Sequence, residues 1–141
     1  GVKNAMQLAI NEAGITPQEV DYINTHGTAT PIGDVAEVKA IQQLFGEHAY
    51  ALNITSSKSM LGHTMGAAGA VEAIISILSM QQGMVTPTIN HEQGDEDPNI
   101  DYRLNFTFNQ AQQRNIHYAM SNNYGFGGQN ACLLFKNPNI Q

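Results

Sequence analysis

Apolar residues along this chain recur at helical spacing in some stretches and as short strand-like runs in others. Val2, Met6, Ala9, Ile10 and Ala13 keep helical spacing, and Gly14 follows where a left-handed cap can end the helix. Thr16-Pro17-Gln18-Glu19 is a capping box with proline at the first helical position, so a short turn follows. Val20 to Asn24 reads as a strand leading into His26. Asp34-Val35-Ala36-Glu37 is a second helix-start signature, and Val38, Ile41 and Phe45 carry an apolar stripe up to Gly46. Ala51 to Thr55 reads as a short strand leading into Ser56-Ser57-Lys58. A helix rich in small residues is expected from about His63 to Gln82, ending at Gly83.

The last third is different. Glu92 to Asn99 is acidic and carries Gly94 and Pro98, which predicts an exposed loop. His117 to Asn122 and Ala131 to Lys136 are strand candidates, joined by Tyr124-Gly125-Phe126-Gly127-Gly128. No internal repeat or low-complexity tract interrupts this order. Helix, strand, helix, strand, helix and two strands predict a layered α/β protein. Parallel strands joined by helices should cross over right-handed.

Composition narrows the reading. A chain of 141 residues is one domain's length and can bury a core. No apolar run is long enough to span a membrane, and no signal peptide opens the chain. The formal charge of −6 argues against nucleic-acid binding, which needs a basic face. One cysteine cannot close an intramolecular disulfide, so a reducing cytoplasm is the default compartment. Gly1 stands where an initiator methionine would be, and the chain begins inside a helical pattern. Gly1 is therefore read as a cut end.

Two histidines stand apart. His26, in Asn24-Thr25-His26-Gly27-Thr28, and His63, in Gly62-His63-Thr64-Met65-Gly66, lie where a strand-like run stops and a helix is about to begin. Layered α/β proteins place reacting groups there. A nearby helix N-terminus disfavours imidazolium, and a neutral imidazole can donate a hydrogen bond to a developing oxyanion. His48, His91 and His117 read as ordinary surface or core residues. Lys58, five residues before His63, is either a solvated lysine or an anion-binding or orienting group. Glu72 lies in an otherwise apolar helix. It is either a paired buried carboxylate or, with Ser76 and Ser79, part of an exposed stripe. The glycines at 125, 127 and 128 fit an oxyanion hole of uncovered N–H groups or an ordinary tight hairpin. Cys132, in Ala131-Cys132-Leu133-Leu134-Phe135, reads as buried strand, away from the histidines.

Three other patterns fail. Asp95 to Asp101 alternates like a calcium loop, but Ile100 and Phe106 stand where glycine and glutamate are required. The glycine run lies between strands and opens no helix, so it is not a dinucleotide fingerprint. The histidines lack the spacing of a helical zinc pair, and no metal site is expected.

Three segments together resemble the C-terminal half of a β-ketoacyl-[acyl carrier protein] synthase, most like the type II elongating form. They are Asn24 to Asp34 (NTHGTATPIGD), Ser57 to Gly69 (SKSMLGHTMGAAG) and Asn122 to Asn130 (NNYGFGGQN). The resemblance covers nearly the whole chain. It implies half of a thiolase-like αβαβα fold, with a mixed sheet flanked by helices. The first strand of that half is missing here, and it is expected in the middle of the sheet. Its loss should leave an open strand edge, with weak autonomous stability or self-association.

The resemblance also implies roles. His26 and His63 are the paired histidines that hold a malonyl thioester carbonyl, Lys58 supports His63, and Glu72 is the carboxylate near that lysine. Thr28 and Thr30 bind the pantetheine arm. The Tyr124 N–H completes an oxyanion hole, and Tyr124 and Phe126 wall the acyl gate. The implied partners are acyl carrier protein, the N-terminal half that carries the nucleophilic cysteine, and a second copy in a homodimer. The implied reaction needs no cofactor beyond the carrier's phosphopantetheine. Cys132 is not the family's nucleophile, so condensation by this chain alone is not expected. The sequence departs from the family pattern at Tyr124 (usually phenylalanine), Asn123 (commonly serine or threonine) and Gln129 (frequently threonine). A non-catalytic chain-length subunit, a ketosynthase domain of a polyketide pathway and a small anion-binding α/β module are the alternatives.

Overall fold

The computed structural model describes residues 1–139. Helix α1 (Val2–Ala13) buries Met6 and Ile10 and ends at Gly14, whose φ of 67° forms the left-handed cap. The Thr16 box holds a single turn, with the Thr16 N–H donating to Glu19 Oε2 at 2.7 Å. Strand β1 (Tyr22–Asn24) leads into His26, and helix α2 (Pro31–Phe45) buries Val38, Ile41 and Phe45. α2 starts three residues before Asp34, because Pro31 is pre-set for the first helical position and Asp34 falls in the first turn. Strand β2 (Asn53–Thr55) is followed by a one-turn helix, α3 (Lys58–Leu61).

The small-residue helix is shorter than expected. Gly62 (φ 74°) and Met65 (φ 52°) break the backbone, and α4 runs from Ala68 to Gln82 before a left-handed Gly83. His63 therefore sits in the break between two helices, and its strand ends eight residues earlier. Strands β3 (Met84–Val85) and β4 (Gln112–Gln113) form a small antiparallel pair, too short to carry a sequence signal. Strands β5 (Tyr118–Tyr124) and β6 (Asn130–Lys136) form the expected hairpin.

The main sheet has the order β2-β1-β5-β6. β2, β1 and β5 are parallel, and β6 runs antiparallel to β5. Alternation along each strand then separates two cores. Ile23, Ile54 and Met120 point to α1 and α2, where they meet Met6, Ile10, Ile41 and Phe45. Tyr22 and Ala119 point to the other face, against Met80, Val85 and Ile116. The result is three layers, with helices on both faces of a mixed sheet.

Two expectations change. The interior of the sheet has no gap, because β1 and β5 are paired in register (Tyr22 with Ala119, Asn24 with Ser121). The edges are β2, where the Ile54 N–H donates to the Asn105 carbonyl at 2.9 Å, and the outer side of β6, which has β5 as its one strand partner among the described residues. The run around Cys132 is likewise not fully buried. Cys132 and Leu134 pack toward the α1–α2 core, whereas Leu133 on the opposite face is 49% exposed. An edge strand covered on one face only produces that alternation.

α4 has inverted polarity. Its sheet-facing side buries Glu72, Ser76 and Ser79, and its outer side presents Ala70, Ile74 and Leu78 at four-residue steps. Ile74 is 57% exposed and Leu78 46% exposed. The reading of Glu72, Ser76 and Ser79 as an exposed stripe is thus reversed. Among the described residues no helix is long and apolar enough to cross a membrane. An exposed apolar helix face beside an open strand edge favours association. The purified chain is expected to self-associate in light scattering, and Ile74→Lys with Leu78→Lys to shift it toward monomer. Because both positions are on the surface, each substitution should change unfolding free energy by no more than about 0.5 kcal/mol. A monomeric parent chain at high concentration would contradict this.

Candidate active site

The three parallel strands end on one side of the sheet, and the loops beyond them build the site. Asn24, the last residue of β1, is buried, and its amide donates to Ser57 Oγ at 2.7 Å. The Thr25 N–H and hydroxyl both donate to the Thr55 carbonyl, at 2.7 and 2.8 Å. These bonds clamp the loop after β1 to the turn after β2, and so bring His26 near Lys58 and His63. Gly27 completes the clamp. Its carbonyl accepts from Ser56 Oγ at 2.7 Å, and a Cβ there would come within 2.6 Å of the Ser56 side chain. No other residue type fits that approach.

The imidazole rings of His26 and His63 stand edge to face with centroids 5.6 Å apart. His63 Nδ1 accepts the Met65 N–H at 3.1 Å, which leaves the ring proton on Nε2 as a donor. Burial, the Lys58 charge and then His63 lower the His26 pKa below its usual value, so this ring is neutral at pH 7. The sequence predicted a neutral imidazole on the strength of a helix dipole. Desolvation and a neighbouring ammonium produce that state here. His26 Nδ1 is buried without a hydrogen-bond partner among the described residues.

Lys58 and Glu72 form an ion pair at the floor of the site, Nζ to Oε1, with side chains 6% and 4% exposed. The second carboxylate oxygen of Glu72 accepts from Asn123 Nδ2 at 2.8 Å. The same Asn123 side chain lies close enough to His26 to favour its protonated form. Glu72 thus joins the lysine to the hairpin strand and, through Asn123, to the first histidine.

Two carboxylates of α2 support the His26 loop. The Glu37 carboxylate is buried and accepts the N–H groups of His26 (3.1 Å) and Gly27 (3.2 Å) and the Asn122 amide (3.2 Å). Burial pushes its pKa up and these donors pull it back. Asp34 faces the backbone of Thr28, Ala29 and Thr30, with its pKa also raised by burial. Neither was among the expected site residues. The signal was present, since Glu37 precedes Val38 on the core-facing side of α2, where an ionised group needs partners.

The remaining expected residues surround the histidines. Thr28 and Thr30 flank Ala29, a non-glycine residue at φ 58°, with their hydroxyls 3.4 Å apart. The Tyr124 ring lies 5.4 Å from the His26 ring, and its buried hydroxyl has no hydrogen-bond partner among the described residues. Burial and Glu37 raise the Tyr124 pKa, keeping the phenol protonated. The Gly125 N–H bonds the Gln129 carbonyl at 2.8 Å, closing the hairpin. By the alternation of an antiparallel ladder, the Tyr124 N–H then turns away from β6. Phe126 stands at the tip of the hairpin, 95% exposed. Cys132 lies apart, its thiol pushed up to about 12 by burial and by Glu37, so it is no nucleophile.

Two cavities meet at His63, Gly27 and Thr28. One, of about 1020 Å³, runs past His26, Thr30, Tyr124 and Phe126. The other, of about 560 Å³, runs past Lys58 toward Tyr102, Phe106 and Phe108.

The chain belongs to the β-ketoacyl synthase family: residues 1–92 match the family model described as "Beta-ketoacyl synthase, C-terminal domain". It is 52% identical over 136 residues to the 3-oxoacyl-[acyl-carrier-protein] synthase 2 of Staphylococcus aureus, covering 96% of this chain and 32% of the relative. It is 46% identical to the synthase of the same name from Coxiella burnetii, covering 95% of this chain and 31% of the relative. The chain therefore spans about a third of the length of these curated relatives. A β-ketoacyl synthase structure from Burkholderia phymatum superposes with a TM-score of 0.87 at 39% identity, over 96% of this chain and 32% of that one. A type II polyketide ketosynthase, solved with its acyl carrier protein and bound to the hexaketide, superposes at 0.90 with 32% identity over 96% of this chain and 32% of that one.

Two measurements test this electrostatic arrangement. Followed by NMR, His26 should titrate below its usual 6.5, and Lys58→Met should move the midpoint upward by removing a nearby positive charge. An unmoved midpoint would separate the lysine from His26. Glu72→Gln should destabilise the fold by about 3–5 kcal/mol in chemical denaturation, because it strands a buried ammonium. The double variant Lys58→Met with Glu72→Met should recover most of that loss.

Proposed function

We propose that this chain is the decarboxylating part of a condensing enzyme that extends acyl chains on acyl carrier protein. The observation that carries this reading is the facing His26–His63 pair set against the buried Lys58–Glu72 pair. A malonyl thioester placed with its carbonyl oxygen between the imidazoles meets the Nε2–H of His63 and the neutral ring of His26. The bond between the α-carbon and the carboxylate breaks, carbon dioxide leaves, and its electron pair passes into an enolate. Ring N–H donors fixed in place stabilise the charge that develops on the enolate oxygen, as in an oxyanion hole.

The α-carbon then attacks an acyl thioester, forming the new carbon–carbon bond and expelling a thiolate. That thioester belongs on a cysteine supplied by residues outside these 141, since Cys132 is the chain's one cysteine and its thiol stays protonated. Thr28 and Thr30 are suited to hydrogen-bond the amides of a pantetheine arm, and the Tyr124 N–H to face the tetrahedral oxygen. Tyr124 and Phe126 wall the path of the acyl group. Lys58 and Glu72 fix the electrostatics below the histidines. No metal or organic cofactor enters the proposed chemistry, and acyl carrier protein is the proposed partner, in a cytoplasmic enzyme that works as a homodimer.

A second reading has a specific support. Among the structural relatives is "The ishigamide ketosynthase/chain length factor", with a TM-score of 0.88 at 35% identity over 96% of this chain and 32% of that one. In a subunit that only sets chain length, the histidine pair would have no chemistry to perform.

In the protein that contains both this chain and the nucleophilic cysteine, His26→Ala and His63→Ala should each slow carbon dioxide release from malonyl-pantetheine by about 10²–10³. Full activity in either variant would overturn the role given to that histidine. The 141-residue chain alone should form no β-ketoacyl product from acyl and malonyl thioesters, and product formation would overturn the assignment of the nucleophile.

A further inference from the structure

We infer that the cavity beside Lys58 is a binding site for a flat, uncharged unsaturated or aromatic group. Its volume of about 560 Å³ lies in the range of small-molecule sites, and it adjoins the larger cavity at His63 and Thr28. The far wall is aromatic. His91 stacks on Phe108 with centroids 3.8 Å apart and planes 14° apart, and Phe106 and Tyr102 continue the cluster at 5.5 and 5.7 Å. Aromatic faces and edges attract other π systems beyond the area they bury.

The wall is rigid. The Asn109 side chain accepts the His91 backbone N–H at 3.2 Å and donates to the His91 carbonyl at 2.8 Å, which fixes the backbone that carries the stacked imidazole. Thr107, between the two phenylalanines, is a buried β-branched residue at φ 51°. Asn53 holds its hydroxyl at 3.1 Å, and its carbonyl accepts the Thr88 N–H at 3.1 Å. Backbone held in that region is strained and persists where the surroundings enforce it, most often at ligand sites. Rings fixed beforehand lose little freedom when a ligand arrives.

Charge selects the ligand further. Asp34 and Asp95 line the cavity, and its one lysine is already engaged by Glu72. An anionic group is therefore disfavoured and a neutral one accepted. The cavity and its chemistry stand by themselves. That the group arrives on a thioester, as part of an acyl chain, rests on the function proposed above.

The test titrates the 141-residue chain with four neutral probes: cinnamamide, S-cinnamoyl-pantetheine, S-octanoyl-pantetheine and pantetheine. NMR contacts locate each probe, and calorimetry measures affinity. The expected result is contacts from the cinnamoyl ring to Phe106 and Phe108 in both cinnamoyl probes. S-cinnamoyl-pantetheine should bind about three- to tenfold more tightly than the octanoyl thioester. Phe108→Leu, which keeps apolar bulk, should abolish that preference and leave octanoyl binding unchanged, while Leu8→Ala, on the exposed face of α1, should leave it intact. Cinnamoyl contacts confined to Tyr124 and Phe126, or a preference that survives Phe108→Leu, would overturn the inference. Pantetheine that leaves Thr28 and Thr30 unshifted would count against the proposed function alone, because cinnamamide reads the cavity without it.

Discussion

An ionised carboxylate under the strand ends must have partners, and Glu72 takes them from opposite sides of the site. Lys58 comes from the turn after β2 and Asn123 from the end of β5. The three residues lie on different elements, so the pairing is possible only when the parallel sheet is assembled and α4 is seated on it. A lone buried charge would cost several kcal/mol, and this requirement ties the buried ion pair to the register of the whole sheet. The polar inner face of α4 follows from the same constraint, as does its apolar outer face, since the helix core-facing stripe is already committed to Glu72, Ser76 and Ser79.

The site follows the same logic at smaller scale. His26 is aimed by a carboxylate behind it (Glu37), by a clamp beside it (Thr25 and Gly27 on Thr55 and Ser56) and by a ring in front of it (Tyr124). Each contact reaches a different secondary-structure element. The imidazole is kept neutral by being half-buried near an ammonium, both of which disfavour a second ring proton.

Much of this was legible in the residues. The helix caps at Gly14 and Gly83, the capping box at Thr16, the hairpin at Gly125 to Gly128 and the three-motif resemblance all depend on local signals. The expectations that failed depended on packing. The α4 start was placed at His63 because small residues look helical, but positive φ at Gly62 and Met65 moved it to Ala68. His91 reads as ordinary, and it stacks on Phe108 beside the Asn109 that holds its backbone from eighteen positions along the chain. Glu37 looked like part of a helix start, and its burial under the His26 loop has no local mark beyond its neighbour Val38.

The sequence by itself determined the helix ends at Gly14 and Gly83, the turns, the family, and the candidate histidines, because caps, turns and motifs are short-range chemistry. Only the tertiary structure decided which polar residues are buried together. It turned Glu72 inward, gave it Lys58 and Asn123, set the two imidazoles edge to face and left β6 as an open edge. Those outcomes depend on distances between elements far apart in the chain, where the cost of an unpaired charge is set by what the fold brings beside it.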